Sequence, residues 1–79
     1  MSEQLSAQYL WDRVLIYATE DRAKYPEWRV GQSMFNSICI VCPVTAEKIR
    51  GTLYDPYRCD SRLQLFKERC FELWNMQNE

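Results

Sequence analysis

The fold is decided by the stretch Arg29-Val30-Gly31-Gln32-Ser33-Met34-Phe35-Asn36-Ser37-Ile38-Cys39-Ile40-Val41-Cys42. After Arg29 it contains no ionised side chain, and its apolar residues recur at helical spacing. The rest of the chain must cover such a segment, because exposed apolar surface is unfavourable in water. We therefore predict a central helix that begins near Val30 or Gly31 and ends at Cys42, before Pro43. Its predicted buried face is Met34, Phe35, Ile38 and Cys42, widened by Cys39 and Val41.

Two longer helices are predicted to flank this central one. Residues 3–24 carry apolar side chains at three- and four-residue steps, with Ser2 or Ser6 as a candidate N-cap. Asp60 is the predicted cap of a last helix that runs from Ser61 to about Met76. The predicted buried faces are Ala7, Leu10, Trp11, Val14, Tyr17 and Ala18 in the first helix and Leu63, Phe66, Cys70, Leu73 and Trp74 in the last.

The connection between the central and last helices is predicted to contain a short helix and a loop. Thr45 is a candidate cap for a short helix that ends at Arg50, and Gly51 is a C-terminal stop. The loop of residues 52–59 contains Asp55-Pro56-Tyr57, which favours a turn. Together these elements predict an all-α compact bundle of three main helices plus one short helix, forming a single domain over residues 1–79.

Composition narrows the class of protein. The 79 residues are 47% hydrophobic and 14% aromatic, which is enough for one core. The net charge is −1, whereas non-specific nucleic-acid binders usually carry a basic excess. No signal peptide and no apolar run of membrane-spanning length is visible, so we expect no membrane association and a reducing cytoplasm.

The four cysteines include a pair, Cys39-x-x-Cys42, with zinc-ligand spacing. Cys59 and Cys70 would have to complete the site, but about ten helical residues between them correspond to roughly 15 Å. Ligands of one zinc ion must converge much more closely. We therefore interpret the cysteines as buried packing residues and predict no metal and no cofactor.

The absence of histidine excludes serine–histidine and cysteine–histidine catalysis. Asp55 and Asp60 are already explained as a turn residue and a helix cap. We therefore expect that the protein is not an enzyme.

Polar side chains at Arg29, Gln32 and Asn36 form a stripe on the otherwise apolar central helix. Polar amides inside an otherwise apolar helix are costly unless they are hydrogen-bonded, and the natural partner for them is the 52–59 loop. We expect Gln32 and Asn36 to clamp this loop, with Asp55 paired to Arg29 or to another arginine. The alternative is that the two amides line a binding groove together with Tyr54 and Tyr57.

Two surfaces are candidates for partner binding. Tyr9 and Ile16 lie seven residues apart on a separate face of the first helix, where they contact either a neighbouring loop or a partner, including a second copy of the chain. Between Lys48 and Arg69, six basic side chains stand against three acidic ones. Tyr54 and Tyr57 are interleaved with them, which is a weak signal for a small nucleic-acid-binding regulator using this Lys48–Arg69 face.

The residues between Arg29 and Phe66 also carry a family resemblance. The pattern Arg29-x-Gly31-Gln32-x-x-x-Asn36, then Pro43, Ala46, Ile49-Arg50-Gly51-Thr52, Asp55-Pro56-Tyr57 and Asp60, resembles short uncharacterised proteins of bacteriophages and prophages. Tyr57 departs from the phenylalanine expected there, and Cys39 and Cys42 are not part of the pattern. The resemblance implies a viral or mobile-element origin, the bacterial host cytoplasm, and a fold or site defined by Arg29, Gln32, Asn36, Asp55 and Pro56.

The expected function is therefore that of a small accessory protein which binds a bacterial host protein, as a host-takeover factor or anti-defence inhibitor. Tyrosine, tryptophan and arginine are the residues that most often anchor protein interfaces. The predicted partner-binding residues are Tyr9, Ile16, Tyr54, Tyr57, Arg58 and Arg62.

Overall fold

A computed structural model describes residues 6–77, with side chains through Met76. In this range the helices are α1 (Ala7–Lys24), α2 (Val30–Val41), α3 (Pro43–Ile49) and α4 (Leu63–Gln77), with a 3₁₀ turn at Asp60–Arg62 before α4. The described residues contain no strand. The predicted all-α bundle of three main helices and one short helix is confirmed.

Helix α1 begins at Ala7, directly after its N-cap Ser6. Ser6 has an extended backbone, and its hydroxyl accepts a hydrogen bond from the Tyr9 amide at 3.0 Å. The helix therefore begins at Ala7, and the predicted start at residue 3 is wrong because Ser6 is not helical. The other candidate cap, Ser2, lies outside the described residues. The far end is Lys24, as predicted, just before the pair Tyr25-Pro26.

Helix α2 is the central element; it begins at Val30 as predicted and ends at Val41, one residue before the predicted end, because Cys42 before Pro43 has a non-helical backbone. Its expected apolar face is buried or packed against the core. Ser33 and Ser37 are also fully buried, which their polarity did not suggest. Because both side chains are small, α1 can pack closely along this face of α2. The Ser37 hydroxyl donates to the Val14 carbonyl of α1 at 2.6 Å, whereas the Ser33 hydroxyl has no hydrogen-bond partner among the described residues.

Helix α3 begins at Pro43 rather than at Thr45. Proline suits the first helical position, where its missing N–H would have no intrahelical partner. Thr45 is not a cap, because its side chain is fully buried and accepts a hydrogen bond from the Trp74 indole N–H at 2.8 Å. This bond joins α3 to α4 across the core.

Helix α4 differs from prediction at its start. Asp60–Arg62 form a 3₁₀ turn without a side-chain cap, and the α-helix follows from Leu63. Asp60 does not cap α4, because its carboxylate accepts a hydrogen bond from the Gly31 amide of α2 instead. The predicted inner face is confirmed, with Leu63 half-buried and the other members buried: Phe66, Cys70, Leu73 and Trp74.

The core lies between α1 and α2 and is closed by α4, which packs against α1 and α3; Ala46 and Ile49 of α3 are also buried in it. The Trp11 ring of α1 lies 5.8 Å from Phe66 and 6.1 Å from Phe71, between ring centroids, in tilted arrangements that aromatic pairs favour. On the outside, the Lys67 ammonium lies over both Trp11 and Phe71. None of the described helices is long and apolar enough to cross a membrane.

Candidate functional site

The loop after α3 is held mainly by its own side chains. Gly51 has a φ of +76°, which glycine adopts without strain, and it ends α3 as predicted. The two oxygens of the Asp55 carboxylate accept hydrogen bonds from the Gly51 amide at 2.8 Å and the Tyr57 amide at 2.9 Å. The Thr52 hydroxyl donates to the Ile49 carbonyl and accepts from the Tyr54 amide. Most of the backbone amides of the loop therefore find acceptors within the loop or at the end of α3.

The amino-terminal turn of α2 anchors this loop to the bundle. The Gly31 amide donates to Oδ1 of Asp60 at 2.9 Å. A Cβ at Gly31 would overlap the Pro56 carbonyl oxygen and lie 2.7 Å from Oδ1 of Asp60, so only glycine permits this approach. The Arg29 guanidinium donates to the Tyr57 carbonyl and lies 3.7 Å from the Asp60 carboxylate.

The predicted polar clamp is therefore corrected. Arg29 does contact the loop, but the side-chain amides of Gln32 and Asn36 make no hydrogen bond to any residue between 6 and 76. Asp55 forms no ion pair with Arg29 or with another arginine of the described chain, because both carboxylate oxygens face backbone amides of its own loop. Arg29, Gly31 and Asp60 make the connection that we assigned to the two amides.

A groove of about 540 Å³ opens between α2 and the loop. All of its lining residues fall within one continuous stretch of chain, between residues 35 and 62. They are Phe35, Asn36, Cys39, Arg50, Gly51, Thr52, Asp55, Tyr57, Arg58 and Arg62.

The groove is cationic although the whole chain is slightly acidic. Arg50, Arg58 and Arg62 line it, and its only carboxylate, Asp55, is occupied by the loop backbone. Arg50 is partly engaged, since its guanidinium lies over the Phe35 ring at 5.3 Å and 3.2 Å from the Glu47 carboxylate.

Arg58 and Arg62 have fewer internal partners than Arg50 and are therefore freer to bind a ligand. Arg62 makes one long hydrogen bond, 3.4 Å, to the Thr52 carbonyl. Arg58 is exposed and forms no hydrogen bond or ion pair within the part of the chain that the structure describes. Both arginines are exposed residues that line the groove. Arg50 was counted in the basic cluster but not predicted as a site residue, because sequence alone did not place it beside Phe35.

Uncharged side chains complete the groove. Asn36 is half-buried with its amide free of internal hydrogen bonds, and Tyr57 keeps 38% of its surface exposed while standing edge-on to Phe35. Tyr54 is not among the lining residues. It is half-buried and packs against the core, with the Arg69 guanidinium 5.4 Å above its ring. Gln32 also lies outside the groove. The structure thus brings Asn36 and Tyr57 together with Arg58 and Arg62.

The α1 surface is separate from this groove. Tyr9 and Ile16 keep 48% and 45% of their surface exposed, and no described loop covers them. Tyr9 borders a smaller groove of about 230 Å³ together with Arg13 and Ile40, whereas Ile16 does not. Of the predicted partner-binding residues, Tyr9 and Ile16 therefore belong to a different surface from the arginines.

The cysteines occupy different environments. Cys70 is fully buried, and this burial, reinforced by the neighbouring Cys42 thiol, raises its pKa to about 12. Cys59 is only half-buried, and the hydrogen bond with the Ser61 hydroxyl, at 2.9 Å, lowers its pKa. The described residues include no cluster of three or more histidine, cysteine or acidic side chains able to hold a metal ion.

Comparison with known proteins leaves the family open. The resemblance to short bacteriophage and prophage proteins rests on the residue pattern and remains a prediction. No protein-family model, curated protein or solved structure matches the chain significantly.

Proposed function

We propose that this chain acts by binding a bacterial host protein through the cationic groove, without catalysis. The role is that of a phage-type accessory protein, such as an anti-defence or host-takeover inhibitor in the bacterial cytoplasm. The observation that carries the proposal is the groove itself, with Tyr57, Arg58 and Arg62 at its surface. The origin and compartment rest on the resemblance of the stretch between Arg29 and Phe66.

The chemistry of the groove favours binding over catalysis. Its one carboxylate accepts two backbone amide hydrogen bonds, so it is poorly placed to take a proton from a substrate. The chain has no histidine to replace it as a general base. The groove does contain a thiol, Cys39, but only the Arg50 guanidinium approaches it, at 4.0 Å, and a guanidinium cannot accept its proton.

The residue types at the groove favour a protein as the partner. Tyrosine and arginine combine apolar area with directed hydrogen bonds and are enriched among the residues that dominate binding energy. A local cluster of positive charge on a chain of net charge −1 complements an acidic patch of limited extent. A long polyanion would also meet the acidic remainder of the surface.

Affinity capture from bacterial lysate tests this proposal. The double variant Arg58→Ala/Arg62→Ala removes two groove charges. The matched control Arg22→Ala/Lys24→Ala removes two exposed charges at the end of α1, outside the groove. We expect the wild type and the control to recover one stoichiometric bacterial protein and the groove variant to lose it. Recovery of chaperones alone, or of the same protein by all three chains, contradicts the proposal.

A second candidate is a small nucleic-acid-binding regulator. It is favoured by the presence of Arg58, Arg62 and Tyr57 in one groove, since arginine pairs with phosphate and a base can stack on tyrosine. This function predicts a mobility shift of single-stranded DNA or RNA that weakens steeply with salt and has a smaller salt slope in Arg58→Ala/Arg62→Ala. Absence of a shift at low salt excludes it.

A further inference from the structure

We infer that the groove takes a short, extended peptide segment with two acidic side chains, whose carboxylates pair with Arg58 and Arg62 and whose backbone pairs with the Asn36 amide. This inference rests on the proposed function, because it names the part of the partner that the groove recognises. It follows from three features of the groove: its free charges, its free amide and its size.

The free charges define the anionic part of the ligand. Arg58 has no internal partner in the described chain, and Arg62 has only the long contact with Thr52. A guanidinium offers a planar fork of N–H donors that matches a carboxylate in a bidentate geometry. Since Asp55 is already occupied by the loop, these arginines have no carboxylate of their own in the groove. The ligand must supply it.

The free amide distinguishes a peptide from a chain of phosphates. Asn36 presents both a carbonyl acceptor and an N–H₂ donor. An extended peptide backbone offers an N–H and a C=O from the same residue, so one amide side chain can satisfy both. A phosphodiester offers acceptors alone and leaves the Asn36 carbonyl without a donor. That unmet hydrogen bond becomes costly once the bound ligand excludes water from the half-buried Asn36 side chain.

Size and shape limit the segment to a few residues. The volume of about 540 Å³ falls in the range of pockets that enclose small ligands. An acidic–apolar–acidic tripeptide in extended form places both acidic side chains on one face, because alternate residues of an extended chain point the same way.

Peptide titration of the full chain, followed by ¹⁵N NMR, tests the inference. The probe is acetyl-Gly-Asp-Leu-Asp-Gly-amide, its uncharged match is acetyl-Gly-Asn-Leu-Asn-Gly-amide, and the third ligand is a short oligothymidylate. We expect the acidic peptide to shift the amide signals of Asn36, Tyr57 and Arg58, with binding at least tenfold weaker for the uncharged match and for Arg58→Ala/Arg62→Ala. Arg58→Lys/Arg62→Lys keeps the charge but loses the planar fork of the guanidinium, so we expect it to bind the acidic peptide more weakly than wild type; it serves as the second variant if the alanine variant fails to fold.

The two amides of α2 supply the sharpest control. Asn36→Ala should weaken the acidic peptide about fivefold, as expected for one hydrogen bond of average strength. Gln32→Ala, which removes the amide outside the groove, should leave the affinity unchanged. Equal binding of both peptides, equal effects of the two amide variants, or binding of the oligonucleotide alone overturns the inference.

Failure of this inference is distinguishable from failure of the proposed function. A host protein captured by wild type and lost with Arg58→Ala/Arg62→Ala, yet not displaced by the acidic peptide, leaves the proposed function standing and refutes the acidic segment. If the acidic peptide binds but no host protein is recovered, the peptide preference of the groove stands and the proposed function is refuted.

Discussion

Gly31 sets how closely α2 and the loop approach each other. Its amide binds the Asp60 carboxylate while its missing side chain leaves space for the Pro56 carbonyl. The atom that faces Gly31 is the backbone carbonyl oxygen of Pro56, and Pro56 is fully buried. The loop therefore has little freedom to move away from α2. The groove therefore depends on a contact that any side chain at residue 31 would disturb.

We predict that Gly31→Ala lowers the free energy of unfolding by about 2 kcal/mol, because the added methyl group forces the loop off α2. Gly51→Ala is the matched change. A Cβ at residue 51 meets no atom within 4 Å, so this variant should lose only about 1 kcal/mol of unfolding free energy, from the strain of a positive φ. Urea denaturation of both variants measures the difference. A Gly31→Ala chain as stable as wild type would show that the loop can shift freely.

Thr45 is the second position where one polar atom decides a local structure. We predict that Thr45→Val costs about 2 kcal/mol although it is isosteric, because the buried Trp74 N–H loses its acceptor. Thr45→Ser keeps the hydroxyl and should cost less, mainly for the lost methyl group. Equal losses for valine and serine, measured by thermal unfolding, would assign the effect to packing rather than to the hydrogen bond.

Among the elements, the helices were more predictable than the loop. The apolar spacing of α1, α2 and α4 depends only on the helical repeat, so their inner faces could be predicted from the sequence. The partners of polar side chains depend on how the elements are placed in three dimensions. Asp60 looked like a cap for the residues that follow it, but its closest donor is Gly31, 29 residues earlier.

The groove was only partly predictable for the same reason, because its polar contacts depend on how the elements are placed in three dimensions. Tyr57, Arg58 and Arg62 were recognisable as interface residue types, and Asn36 as an unusual amide on an apolar helix. The prediction that Gln32 and Asn36 would bind the loop failed because Asp55 and Thr52 already satisfy that backbone. No sequence pattern indicated that the Asp55 carboxylate would accept hydrogen bonds from its own loop and leave Arg58 without a partner in the described chain.

For the loop we predict that Asp55→Ala accelerates hydrogen exchange at the Gly51 and Tyr57 amides, since both lose their acceptor. The free energy of unfolding should fall by about 1 kcal/mol for these exposed bonds. Exchange at Ser33, whose amide binds the Arg29 carbonyl in α2, serves as the internal reference. Unchanged protection at Gly51 and Tyr57 would contradict the assigned role of Asp55.

At the scale of the whole molecule, stability should depend on pH through Cys70. Its folded pKa of about 12 lies above the ordinary value of 9.0, so the folded state binds the thiol proton more tightly. The resulting stability is fully present below pH 9 and is lost as the pH rises toward 12. The folded protein should therefore lose stability as the pH rises above 9.

We predict that the stability gap between wild type and Cys70→Ala narrows above pH 9, by at most about 1.4 kcal/mol per pH unit. Leu73→Val alters the same buried face of α4 without a titrating group, so its gap to wild type should not vary with pH. Denaturation at pH 7, 9 and 10.5 under reducing conditions measures both gaps. A constant gap for Cys70→Ala would show that its thiol ionises as freely in the folded chain as in the unfolded one.

The groove residues all belong to one uninterrupted length of chain, from Phe35 to Arg62. Arg29 and Gly31, which anchor the loop, lie just before this length, so exchange of residues 29–62 would transfer the groove together with its anchor while α1 and most of α4 stay as they are. Under the proposed function, we predict that a chimera which carries a foreign segment of this length acquires the target preference of its donor.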